Sequence, residues 1–211
     1  MSLTELLDER RHLLGVIADA MGHRATGDHV LRCAYARWFA LPRAERAAIP
    51  DPRTWLTAVT EEVCAHWPAR DDMECAAQRG ARPPNAAPAT AAAPSDPVAQ
   101  AFLVACRDAD DLLFDVVLAP GVRALADGGG LVRVHPDPLS GAADVGAFLC
   151  ALFGGQGELG LRDCRVNGDA GVVVHRERAA VAVIGLRCER GRVQEVWLML
   201  NPDKVRRWDL P

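Results

Sequence analysis

Asp127-Gly128-Gly129-Gly130 and Asn201-Pro202-Asp203-Lys204 lie near the ends of the stretch on which the architecture turns, Gly121 to Val205. Two-residue alternation predicts strands over Val122–Asp127 and Leu131–His135, joined by the Gly-rich turn. Pro136, Pro138 and Gly141 break the second, and a helix follows over Ala143–Phe153. Beyond Gly154-Gly155-Gln156-Gly157 the pattern predicts strands near Leu159–Val166, Gly171–Glu177, Ala180–Glu189 and Val193–Leu200. Asn167-Gly168-Asp169 and Glu189-Arg190-Gly191 are hairpin signals between them. In the last strand Val196, Leu198 and Leu200 are apolar, and so are Trp197 and Met199, which reads as a strand covered on both faces.

Upstream, Val98, Phe102 and Ala105 mark one helix, and Leu112, Leu113, Val116 and Val117 another. Helices, a strand, a helix and a meander make an α+β cone, a curved antiparallel sheet closed by helices around a cavity. The N-terminal third reads differently. Leu6, Leu7, Leu13, Leu14, Ile17 and Met21 recur at helical spacing; a second helix covers 28–40, with Asp28 as its N-cap; a third runs from Arg53 to Trp67 and stops at Pro68. Between these parts, Gly80 to Ser95 is Ala/Pro-rich and aperiodic. The domain organisation expected is therefore a helical bundle at 1–79, a linker at 80–96 and the cone at 97–211.

Composition narrows the function. A formal net charge of −4 over 211 residues gives no bulk reason to bind nucleic acid. No apolar run is long enough for a membrane span, and the acids near Met1 argue against a signal peptide. The seven cysteines are scattered and form no Cys-x-x-Cys pair, which points to reduced thiols in the cytoplasm and not to a zinc site. His12, His23, His29 and His66 read as surface or interhelical groups.

Two resemblances stack on these elements. Arg11-His12-Leu13-Leu14-Gly15, Tyr35-Ala36-Arg37-Trp38 and Trp55-Leu56-Thr57-Ala58-Val59 resemble region 2 of a sigma-70-type factor. Asp127–Gly130 and Asn201–Lys204 resemble the signatures of the SnoaL-like, nuclear-transport-factor-2-like domain fused to one group of extracytoplasmic-function sigma factors. Together they cover about four-fifths of the chain, in the order those factors use. Region 4, the promoter-reading helix-turn-helix, has no room between Trp67 and Pro97, and the Trp-Leu-Pro-Glu-Pro linker is absent. Residues 1–79 hold 10 Arg against 12 Asp and Glu, so the cationic footprint that phosphate contact needs is missing. The resemblance therefore implies a degenerate sigma factor that no longer reads promoters.

It also implies candidate chemistry. Asp127 falls where ketosteroid-isomerase-like relatives keep a general-base carboxylate; an Asp before three glycines is equally a turn residue. The oxyanion-hole groups of those relatives are replaced, by Phe102 on the first helix and near Ile184 on a later strand, which counts against a steroid-isomerase mechanism. His135 and His175 are the further catalytic candidates; His175 shares strand parity with Glu177, which suggests a wet face. Phe102, Arg133, Trp197 and Asn201 are candidate substrate contacts. Arg133 could instead sit on an exposed edge, Trp197 in the core, and Asn201 in the turn that ends the sheet. Gly128–Gly130 is no phosphate loop, because no helix start with Lys-Ser/Thr follows.

The function expected is cofactor-free, metal-free acid/base work on a small organic substrate or ligand of specialised metabolism: cyclisation, isomerisation or ring opening. The alternatives are a truncated regulator with a weakened RNA polymerase contact, or a ligand-binding or dimerisation module. No DNA and no membrane are expected as partners, and a homodimer is allowed for.

Overall fold

A computed structural model describes residues 1–22, 27–67, 96–134, 137–154 and 159–210. The chain forms two units. One comprises the described residues 5–67 together with Gly130–Arg133; the other comprises residues 1–4 and the described residues 96–129 and 134–210. The expected linker lies outside the described residues except for Asp96.

The helical unit contains α1 Leu3–Met21, α2 Gly27–Ala40, the short α3 Arg43–Ala48 and α4 Pro52–Ala65. Sequence periodicity missed α3, whose six residues bury nothing. Asp28 lies within the first turn of α2 and pairs with Arg10 at 3.5 Å. The cap that forms is Asp51 on α4. It accepts from the Arg53 and Thr54 amides and the Thr54 hydroxyl, and these bonds hold its carboxyl below the usual range. Leu13 and Ile17 of α1, Val30, Leu31 and Tyr35 of α2, and Leu56 and Val63 of α4 make one core. His12 is interhelical, 3.0 Å from the Thr57 hydroxyl.

Leu131 belongs to that same core and is fully buried. The strand expected over Leu131–His135 does not form: 131–134 carry no ladder, and His135 lies outside the described residues. Gly129 and Gly130 have φ of 61° and 69°, left-handed values that end the extended path and deliver Leu131 to the helices. Alternation alone could not separate this segment from a strand.

The second unit contains α5 Pro97–Asp108, α6 Asp111–Val117, β1 Leu118–Asp127, β2 Leu139–Ser140, α7 Ala142–Phe153, β3 Leu159–Val166, β4 Asp169–Arg176, β5 Ala179–Glu189, β6 Arg192–Met199, α8 Pro202–Val205 and a 3-10 turn, Arg206–Trp208. The sheet order is β2-β1-β6-β5-β4-β3. Five of the six expected strands and the helix after the broken segment are present, the first beginning early at Leu118 and the rest within a few residues of their expected bounds. The sheet is mixed and not purely antiparallel, because β6 returns beside β1 in the same direction. The turns at Asn167-Gly168 and Arg190-Gly191 have φ of 56°, 92°, 53° and 74°, the double left-handed geometry that tight hairpins demand.

Register sorts the two faces. Ala124, Val196, Leu198, Ile184, Leu186, Val172 and Val174 share one face and are buried. α5, α6 and α7 contact these strands and bring Phe102, Phe114, Leu149 and Phe153 to the core. The opposite face carries Val173, Val183 and Met199, which cluster with Val166 of β3 and with Val205 and Trp208 of the C-terminal tail. The tail is fastened at the β4–β5 end: Leu210 donates to the Arg178 carbonyl, and the Asp209 carboxylate accepts from the Ala180 amide.

Burial beside this cluster pushes the Cys164 thiol up to about 12, and burial away from it, with the Asp96 and Asp169 charges, pushes Cys188 up to about 11. A thiol whose folded pKa is raised contributes stability below its unfolded value near 9.0, lost as pH rises toward 12. Cys164 is therefore expected to resist iodoacetamide at pH 8 in the native protein and to label in urea, as mass spectrometry of the peptides would show.

Candidate functional site

Asp127 ends β1 opposite Met199, so it stands on the tail-covered face. Both of its carboxylate oxygens are engaged. One accepts the Gly129 amide at 2.8 Å, and the other meets the Lys204 ammonium at 2.7 Å. Its carbonyl accepts the Leu200 amide at 2.8 Å. Asn201 is buried and caps α8, its side-chain oxygen accepting the Asp203 amide, while its carbonyl accepts from Lys204 and Val205. A Cβ on Gly129 would collide with the Asn201 carboxamide. The two sequence signatures, 71 residues apart at Gly130 and Asn201, thus close into one clasp. Pro202 starts α8 because its missing N–H is no loss at a helix's first position.

The other candidates are dispersed. Phe102 is fully buried and meets Phe114 edge-to-face at 5.7 Å, in the core that α5 and α6 form. His175 is 3% exposed, its Nε2 lying 3.0 Å from the Trp208 carbonyl, which makes that nitrogen the donor. Its strand is the third from β1, so about 14 Å of sheet separates the two positions by strand spacing alone. The wet face expected for His175 is absent: the C-terminal turn covers it, and a bulge after Val174 shifts the ladder there. Trp197 is half-buried and lines two recesses on the tail-side face.

Arg133 is not on an exposed edge. It belongs to the helical unit, where Nε and Nη2 clamp both oxygens of Glu9 at 2.9 and 2.6 Å. The side chains are 11% and 5% exposed. The Tyr35 hydroxyl donates to Glu9 at 3.3 Å, and the guanidinium lies 5.0 Å from the Trp38 ring centroid. Burial, with the Glu9 charge beside it, pushes the Tyr35 phenol far above its ordinary range.

Of the sequence candidates, then, the structure unites Asp127 with Asn201 and leaves Phe102, Arg133, His175 and Trp197 in separate places. Sequence reasoning missed Lys204 as the partner of Asp127 and Glu9 as the partner of Arg133. The Lys204 signal was present, since the first signature holds an acid, Asp127, and the second a base, Lys204. Among the described residues no group of three His, Cys, Asp or Glu is placed to hold a metal ion, and no helix is long and apolar enough to cross a membrane.

No family model matches the chain, and no curated protein matches it. Among solved structures it is similar to the extracytoplasmic function sigma factor SigJ of Mycobacterium tuberculosis, at 18% identity, with 100% of each chain covered and a TM-score of 0.47. It is also similar to an LEH-like epoxide hydrolase of M. tuberculosis, at 14% identity over 51% of this chain and 83% of that one, with a TM-score of 0.33. A de novo designed protein with a curved β-sheet aligns at 15% identity over 50% of this chain and 86% of its own, with a TM-score of 0.38. Likeness at this level says nothing about residues or chemistry.

Proposed function

We propose that the chain is a non-catalytic regulator that resembles a sigma factor without promoter reading, and that it acts by occupying the sigma-binding surface of RNA polymerase. The observation that carries this reading over the acid/base alternative is the engagement of Asp127. A general base needs a lone pair aimed at a substrate proton. Asp127 gives one oxygen to its own turn and the other to Lys204. Phe102 packs against Phe114 in the α5–α6 core, and His175 lies three strands from β1.

Two further observations support binding. The helical unit has an apolar core from α1, α2 and α4, which supports a docking surface of the region-2 kind that its sequence resembles. Its 10 Arg against 12 Asp and Glu over residues 1–79 leave no cationic track for a phosphate backbone.

The test is Asp127→Asn. The carboxamide oxygen still accepts the Gly129 amide, and only the partly exposed Lys204 pair is lost. We expect a cost of about 1 kcal/mol in urea unfolding and unchanged co-sedimentation with core RNA polymerase. Loss of a measurable turnover in Asp127→Asn, with the fold intact, would favour the enzyme instead.

A further inference from the structure

Register leaves one patch of the tail-side face bare. Gly185 of β5 is the cross-strand partner of both Gly171 and Trp197, so two adjoining positions present no side chain. Val166 fills the space over Gly171, where a Cβ would lie 2.6 Å from its Cγ2. Over Gly185 the space stays open. A Cβ there would rest 3.5 Å from Val166 Cγ1 and 3.7 Å from Trp197 Cε3, which is ordinary contact. The resulting recess holds about 140 Å³ between Val166, Val183, Trp197 and Met199, with Asp169 at its margin.

Its chemistry is one-sided. The walls are an indole, a thioether, two valines and Leu186, with Asn167 beside Asp169 as the polar part of the lining, and the apolar surfaces favour an aromatic ring. An apolar cavity of about 150 Å³ is known to hold benzene. The one ionisable group in the lining is Asp169. Its residue is exposed, and its charge is felt at Cys188. A cation is therefore favoured at the margin and an anion disfavoured. We infer that this recess is a binding site for a small aromatic amine, the ring against Trp197 and Met199 and the ammonium toward Asp169. The site is independent of the polymerase reading and uses none of the Asp127 clasp.

Benzylamine is the probe, titrated into the full chain by calorimetry, with benzyl alcohol as the neutral counterpart. A ligand of this size is expected to saturate with a Kd on the order of 1 mM, and benzyl alcohol to bind roughly tenfold more weakly. Gly185→Ala adds one methyl into the recess without a collision. It should keep the melting temperature and weaken benzylamine by about tenfold or more. Asp169→Asn, at the exposed first position of β4, should erase the preference for the amine while sparing benzyl alcohol. Absence of saturation up to about 10 mM benzylamine, unchanged binding in Gly185→Ala, or an amine preference that survives Asp169→Asn would each overturn the assignment.

Discussion

Arg133→Ala is expected to destabilise the helical unit by about 3–5 kcal/mol, the largest effect of any single change considered. The substitution leaves the Glu9 carboxylate, 5% exposed, without its bidentate partner. A buried charge stripped of its partner keeps its full desolvation cost. The same change removes the cation from above Trp38. Hydrogen exchange of the α1 and α2 amides would report the loss. The double variant Glu9→Leu/Arg133→Leu should recover part of it, because removing both charges also removes their desolvation cost. Recovery should stay incomplete, since the Tyr35 hydroxyl then has no acceptor. A single Arg133→Ala with exchange rates within threefold of the parent would contradict a buried ion pair.

Gly129→Ala should cost about 2–4 kcal/mol, measured by urea unfolding. Two effects add. The position has φ of 61°, which an alanine tolerates poorly, and its methyl would displace Asn201 from the cap of α8. Gly130→Ala provides the control. Its φ of 69° is equally left-handed, but its methyl would meet only the flexible Arg32 stem, at 3.1 Å. The excess of Gly129→Ala over Gly130→Ala, about 1–2 kcal/mol, isolates the clasp between the two signatures. Equal effects would mean that backbone strain alone acts at both positions.

What the sequence revealed follows from which interactions are local. Helical periods and the Asn167-Gly168 turn depend on neighbours along the chain, and those elements stand where they were expected. The doubly apolar strand at Val196–Leu200 is covered by the helices on one face, and on the other Val205 and Trp208 cover Met199 but leave Trp197 half-buried. What failed depended on partners far away. Leu131–Arg133 alternates like a strand, yet Leu131 fills a helical core and Arg133 finds Glu9, 124 residues earlier. The tail residue Trp208 seals His175, so its strand parity with Glu177 misled. Parallel pairing of β1 with β6 leaves no trace in either strand's own pattern. The candidate site was half legible: Asp127 and Asn201 do meet, but as a clasp completed by Lys204.

The central claim is best tested by competition. Labelled intact sigma factor is bound to core RNA polymerase, and the full-length chain is titrated in while anisotropy is followed. The account predicts saturable displacement by this chain alone, and no binding of the chain to a promoter duplex at 0.15 M salt. Failure to displace the sigma factor at tens of micromolar would contradict it, as would salt-sensitive promoter binding by the free chain.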